Sequence, residues 1–467
     1  MKRLLSAVLI SISLTGAAAP AERPRLIAIV VIDQFGTPLF ERLPANGRFR
    51  ARLKDAAVFP NALHDHVPTK TAPGHASIST GRPPSVHGII SNDIFNRALG
   101  RVVSSVTGPD GSKGAYRLEA PTLGDKMKDA DPSSKVVSLS LKDRSAIFLG
   151  GHHPDAAVWY EADAKRFVSS SYYGPPPAWL EKTPTELGEI SSVFSPRLEP
   201  LASPAADRLV LSAAEVAVSS EKLGADSDCD LLLLSFSATD LIGHRWGPDS
   251  PQMAEQLKAL DDMLSDVADD LDRASGGHFV MALTADHGVL PLPESAAGRA
   301  LGARRVPEST FIKRLDGEVG GAAVVAFDSP DLYLPPGIDV AAAADRIAAD
   351  PDVAAVYAPD RYPAVDDYAA IFKRSYFPGR SGDLQIRVKP GVLVGSRFGT
   401  SHSTPYDYDA RVPLVFLGEG VKAGVNPNRV SIESLAPTLA AAVGADLRPG
   451  DGRPVLDVLQ PAPAPSR

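Results

Sequence analysis

Five short apolar runs restrict the fold of this chain more than any other feature: Leu26–Ile32, Val136–Leu141, Leu231–Phe236, Phe279–Leu283 and Val412–Leu417. None alternates apolar with polar residues, as a strand with one solvated face would. Strands that are apolar on both faces sit in the middle of a parallel sheet with helices covering each side. Helical patterns fall between them, at Pro251–Leu271 and Ser434–Val443. Strand–helix alternation of this kind predicts an α/β fold, a mostly parallel central β-sheet sandwiched by helices.

The chain has 467 residues, more than one simple core usually serves. One large catalytic domain over residues 22–460, carrying insertions, is expected. Residues 152–205 form one candidate insertion, rich in Pro, Ser and aromatic residues (SSSYYGPPPAWLEKTP). Residues 295–395 form another. They hold an Ala-rich helix pattern, Val340–Ala349, between β-like runs such as Ala322–Phe327, the pattern of a small inserted α+β lobe.

Residues 1–21 read as a cleavable export signal. Lys2 and Arg3 precede an apolar core from Leu4 to Leu14, and Ala19-Pro20-Ala21 offers a small-residue cleavage site. That core is too short for a bilayer, which needs roughly 20 residues. No cysteine near the cleavage point suggests a lipid anchor, and the single Cys229 excludes an intramolecular disulfide. A periplasmic or secreted enzyme, monomeric and without a membrane anchor, is the expectation. A net charge of −8 gives no basic surface for nucleic acid, so an anionic substrate would have to be attracted locally.

Groups suited to that task stand just past the strand patterns. Asp33 follows the first run, Asp240 the third, and Asp286 with His287 the fourth; open α/β sheets bind ligands at that edge. With His244 and His402 they make three carboxylates and three imidazoles. These could divide as Asp, Asp, His and Asp, His, His around two divalent ions. Asp240 and His244 are one helical turn apart and can grip one ion together. Adjacent Asp286 and His287 suit two ions, or one ion in an irregular loop. Thr71, in PTKTAPGHASISTG, reads either as an N-cap before a helix begun near Pro73 or as an alcohol at a helix N-terminus, where free amides attract an anion. Asn92 reads as a turn residue or as an amide donor to a phosphoryl oxygen. Lys142 and Arg144, two apart in a strand-like segment, would share one face and converge on an anion, or be solvated surface charges. His64, His66, His87, His152, His153 and His278 are assigned structural roles, with His75 the one expected to support the site.

Taken together, these segments resemble the alkaline phosphatase superfamily. They are most similar to its Thr-nucleophile branch of type I phosphodiesterases/nucleotide pyrophosphatases and secreted bacterial phosphatases of the PafA type. The resemblance runs from Asp33 to Pro413 through TKTAPGHASISTG, GIISND, LKDR, TDLIGHRWGP, ADHG and SH…PYDYD, and the helix segment APTLAAAVG extends it. It implies an alkaline phosphatase-like fold and two Zn2+ per chain. Asp33, Thr71, Asp286 and His287 would surround one ion, and Asp240, His244 and His402 the other. Thr71 would be the nucleophile, Asn92 the oxyanion donor, and Lys142 with Arg144 the clamp on phosphoryl oxygens. Ser403-Thr404 stand where the family usually has Gly-Ser, so the loop after His402 is expected to depart from the family's.

The implied reaction is hydrolysis of phosphate monoesters through a covalent phospho-threonine intermediate. Two cations beyond the metals favour the dianionic monoester over a diester. Phosphodiesterase or nucleotide pyrophosphatase activity at the same two-metal site is the alternative, and a catalytically dead binding protein a remote one. Sulfatase chemistry is not expected, since no Cys or Ser stands in a C/S-x-P-x-R setting.

Overall fold

The computed structural model describes residues 23–188, 193–194, 200–321, 323–395, 397–448, 450 and 456–459. The expected export signal, residues 1–21, lies outside these residues. Among the described residues no helix is long and apolar enough to cross a membrane.

The main sheet contains β1 (Leu26–Ile32), β2 (Ala57–Leu63), β3 (Val136–Ser140), β4 (Ala156–Glu161), β5 (Arg166–Val168), β6 (Asp230–Phe236), β7 (Phe279–Thr284), β8 (Arg411–Gly418), β9 (Gly424–Val425) and β10 (Val430–Ser431). Their order is β9-β2-β8-β7-β1-β6-β3-β4-β5, with β10 also on β2. From β7 to β4 the strands are all parallel. Every residue of β1, β3, β6 and β7 is buried, so both faces are covered. Burying a Leu, Ile or Val side chain contributes about 1.5–3 kcal/mol, and these four strands supply the centre of the largest core.

Two expectations change. The run Val412–Leu417 is a central strand, but β8 lies antiparallel to both β7 and β2. Burial on two faces makes a strand apolar whichever way it runs, so the pattern carries no direction. The segment 152–205 is not wholly apart from the main sheet either: it supplies β4 and β5, the last two strands at one end of that sheet. Their apolar content is brief and interrupted by Asp163 and Lys165, so no period shows in the sequence.

Helices α1 (Thr71–Thr80), α2 (Asp143–Gly150), α3 (Pro204–Glu221), α4 (Ala238–Trp246), α5 (Pro251–Ser275) and α6 (Leu435–Val443) flank the sheet. α3, α4 and α5 pack together, as do α1, α2 and α6 through α1. α5 shows why the sequence commits to helix. Ser250 caps it by accepting from the Met253 amide, and Pro251 fills the first turn. Met253, Leu257, Leu260, Leu264, Val267 and Leu271 make one buried stripe.

Between β7 and β8, a four-stranded antiparallel sheet forms from Ala326–Asp328, Asp331–Tyr333, Leu384–Val388 and Val353–Tyr357. With helices Glu308–Glu318 and Val340–Ile347 it encloses a core of its own, including Phe311, Leu315, Leu332, Ile347, Leu384 and Ile386. Among the described residues, the β-like run Ala322–Phe327 pairs only from Ala326. Asp328 joins this lobe to the main body, bonding the Lys70 ammonium and the Ser91 hydroxyl at 2.5 Å each.

Candidate active site

Four neighbouring strands end level with one another. Ile32 is in register with Phe236, Val31 with Thr284, and Ser140 with Ser235. The segment beyond each strand therefore emerges at one edge. Asp33 leaves β1, its amide bonded to the Phe236 carbonyl at 2.9 Å. Asp286 and His287 leave β7, Lys142 leaves β3, and Asp240 with His244 lies on α4 after β6. His402 enters from the loop before β8. The structure brings all of these together.

The ligand atoms fall into two overlapping groups. Asp240, His244 and His402 present theirs within 4.8 Å of one another, as do Asp33, Asp240 and His287. Asp286 adjoins the second group, its Oδ2 3.5 Å from His287 Nε2. Each imidazole is oriented in the same way. Nδ1 of His244 donates to the Thr400 carbonyl at 2.7 Å, that of His402 to Thr69 at 2.6 Å, and that of His287 to Gly288 at 2.9 Å. A ring fixed through Nδ1 offers the lone pair of Nε2, the usual arrangement behind a metal-bound histidine. Among the described residues, Asp33 Oδ1, Asp286 Oδ2 and His287 Nε2 are buried with no hydrogen-bond partner. Leaving such groups unpaired in a protein interior is costly, and three at one point fit a bound cation.

The charges point the same way. Burial, reinforced by Asp240 and Asp286, pushes the Asp33 carboxyl well above its ordinary range. Burial lifts Asp286 to about 7. Burial would raise Asp240 too, but His244 and Lys142 hold it well below the carboxylate range. Burial opposes protonation of His244, yet Asp240 raises it to about 9. His402 is depressed to about 3 by burial and by His244. His287 is held well below the imidazole range by burial and by His402. The neutral His287 and His402 imidazoles and the crowded Asp33 and Asp286 carboxyls are completed by added positive charge.

Thr71 is the first residue of α1, and Lys70 occupies the N-cap. The helix thus starts one residue earlier than a Thr71 cap would require. Gly74 explains how α1 comes so near. A Cβ there would sit 2.5 Å from the Asp286 carbonyl oxygen, so only glycine allows this helix turn to rest on the loop that carries Asp286 and His287. His75 fixes the junction, with Nδ1 2.8 Å from the Thr71 carbonyl and 3.3 Å from Asp286 Oδ2, and Nε2 2.9 Å from Ser235 Oγ. Asn92 Oδ1 accepts from the Ala72 amide at 2.8 Å, which leaves its Nδ2 hydrogens as the donors still to be used.

Lys142 is extended, but a helix starts immediately after it, so Arg144 stands on the first turn of α2. The expected same-face pairing along a strand therefore does not occur. Lys142 Nζ instead reaches into the ligand cluster, 2.5 Å from Asp33 Oδ2 and 2.6 Å from Asp240 Oδ2. Arg144 lies close enough to His75 and Lys142 to act on their charges. Among the described residues its buried Nε has no partner.

Five of the other histidines make bonds away from the ligand cluster. His64 Nε2 meets the Ala285 carbonyl, His66 and His87 share the Ser77 hydroxyl, His152 pairs with Asp125 and His278 with Glu419. Gln34, which the sequence does not mark as functional, touches both groups of ligands. Its amide donates to Asp286 Oδ1 at 3.1 Å and its Nε2 to Asp240 Oδ1 at 2.6 Å. Glutamine is not among the usual zinc ligands, so its only signal is a polar residue abutting a strand-end aspartate.

Residues 27–409 match the family model "Type I phosphodiesterase / nucleotide pyrophosphatase". Alkaline phosphatase PhoD of Zymomonas mobilis is 30% identical, over 93% of this chain and 88% of its own. Alkaline phosphatase PafA of Elizabethkingia meningoseptica is 27% identical, over 98% of this chain and 99% of its own. A crystal structure of wild-type PafA superposes with a TM-score of 0.82 at 25% identity, covering 95% of this chain and 100% of that one. The chain belongs to the type I phosphodiesterase/nucleotide pyrophosphatase family of the alkaline phosphatase superfamily.

Proposed function

We propose that this protein is an exported alkaline phosphatase that hydrolyses phosphate monoesters at a two-zinc site through a phospho-threonine intermediate. Asp33, Asp286 and His287, with the Thr71 alcohol, would hold one ion, and Asp240, His244 and His402 the other. The observation that carries the reading is the position of Lys142. Its ammonium lies among the ligand carboxylates, and the Arg144 guanidinium is close by, with a donor unspent.

Bound zinc would lower the pKa of an alcohol or water and stabilise developing negative charge. The protein's own groups do the rest. Thr71 Oγ1 attacks phosphorus in line with the departing ester oxygen, and water later cleaves the phospho-threonine, releasing phosphate. The Thr71 amide at the start of α1 and the Asn92 Nδ2 hydrogens bind the equatorial oxygens. Lys142 and Arg144 neutralise the second charge that separates a monoester from a diester. Catalysis of this kind is positioning plus charge stabilisation.

The test is kcat/KM for an aryl phosphate monoester against the matching diester, in zinc-loaded wild type and Lys142→Ala/Arg144→Ala. Monoester turnover should fall by about 10²–10³-fold in the double variant, with diester turnover much less affected. Diester preference indifferent to both substitutions would make the enzyme a phosphodiesterase instead.

A further inference from the structure

Gln34 stands where a side chain is hard to accommodate. It is fully buried and has φ of +66°, the left-handed region that glycine occupies most readily. Its two donors go to opposite sides of the cluster. The backbone amide holds Asp286 Oδ1 at 3.1 Å and Nε2 holds Asp240 Oδ1 at 2.6 Å. That same Asp240 oxygen lies 3.1 Å from His244 Nε2 and 3.7 Å from His402 Nε2. One residue, directly after the ligand Asp33, therefore ties a carboxylate of one ligand set to a carboxylate of the other.

The neighbouring helix is shaped around this side chain. Gly243 lies on α4 between Asp240 and His244. A Cβ there would come within 1.7 Å of Gln34 Oε1. Any other residue at 243 would displace the carboxamide.

We propose that Gln34 is a positioning residue that sets the spacing of the two metal-binding halves. This rests on the two-ion reading above. Gln34 binds neither metal nor substrate. It fixes the azimuth of Asp240 through its carboxamide and of Asp286 through its amide, so that both ligand sets close around their ions at a constant separation. Removing such a support behind a metal ligand typically costs 10–100-fold in metal affinity or activity.

The test compares the zinc-loaded wild type with Gln34→Leu, Gln34→Gly and Gly243→Ala. Gln34→Gly relaxes the backbone and keeps the amide to Asp286, removing only the carboxamide. Gly243→Ala leaves Gln34 in place but pushes it aside. Zinc release into a colorimetric chelator and the kcat–KM split at saturating zinc are the readouts. At least tenfold faster release of zinc is expected in all three variants, with kcat lowered and KM for an aryl phosphate little changed. A purely structural bond would lower the melting temperature and leave release and kcat alone. Wild-type release and kcat in both Gln34→Gly and Gly243→Ala would overturn the proposal, whether or not Gln34→Leu folds. A wild type holding fewer than two equivalents of zinc would instead overturn the two-ion reading, and the strut with it.

Discussion

The two proposed ligand sets use the same chemistry in different surroundings. Asp33, Asp286 and His287 have side chains fully shielded from solvent, at the ends of central parallel strands. Asp240, His244 and His402 come from a helix and a long loop, and the His244 side chain is 37% exposed. The shielded set touches the first turn of α1 where Gly74 meets Asp286, so under the proposed mechanism it is suited to hold Thr71 still. Under the same mechanism the more open set would serve the departing alcohol, since solvent reaches His244. Rigid strand ends give precision and a low dielectric; helix and loop give access. The sets are nevertheless coupled, because the His287 and His402 rings stack with centroids 3.6 Å apart.

The sharpest way to break this contrast is to remove one imidazole from each side. His287→Ala should lower kcat/KM by about 10³-fold or more, since several kcal/mol of charge stabilisation disappear and buried carboxylates are left uncompensated. Excess zinc should not restore it. His244→Ala should cost about 10²-fold, with partial rescue by added zinc or imidazole, because solvent reaches that position. Titrating zinc into both variants while following aryl phosphate turnover decides the matter; equal losses with equal rescue would erase the distinction.

How far the sequence showed this arrangement depended on what kind of signal each residue leaves. Asp33, Asp240, Asp286 and His287 were legible because strand ends are legible, and strand ends lie at one edge of a parallel sheet. Lys142 was legible as a cation at a strand end. Its insertion between Asp33 and Asp240, and the helix that carries Arg144 away from a strand face, depend on where one helix starts. The direction of β8 left no trace, because burial is blind to polarity. Gln34 left almost none, since its role rests on a backbone angle and on the missing Cβ of Gly243, more than two hundred residues away.

A weaker lever acts on the support of the open set. Asp207 is buried on α3, and its Oδ1 accepts from the Ser237 and Ala238 amides at 2.8 and 3.0 Å, where α4 begins. Burial pushes its carboxyl up to about 7. A folded-state pKa above the unfolded value means that its stabilising contribution is complete below about pH 4. That contribution is lost as the pH rises through about 7. Asp207→Asn keeps an acceptor for the two amides and cannot ionise. The melting temperature of Asp207→Asn relative to wild type should therefore climb between about pH 4 and 7 and level off above that, at no more than about 1.4 kcal/mol of stability per pH unit. A difference that stays flat would show that Asp207 does not titrate in that window.

The smallest effect concerns the loop that delivers His402. Ser403 has φ of +119°, an angle that disfavours any residue with a Cβ and that accounts for glycine being usual there. Its amide donates to Thr69 Oγ1 at 3.2 Å, beside the His402 bond to the Thr69 carbonyl. The strained turn is thus held by the same residue that orients the ligand. Strain of this kind costs about 1–3 kcal/mol, and glycine, though it relieves the strain, gives back about 0.5–1 kcal/mol of that through the entropy of the unfolded chain. Ser403→Gly should stabilise the protein by about 1 kcal/mol in chemical denaturation. If the strain also helps aim His402, the stabilised variant should release zinc faster from the open set; unchanged release would mean that Thr69 alone orients the ring and that Ser403 is a tolerated cost.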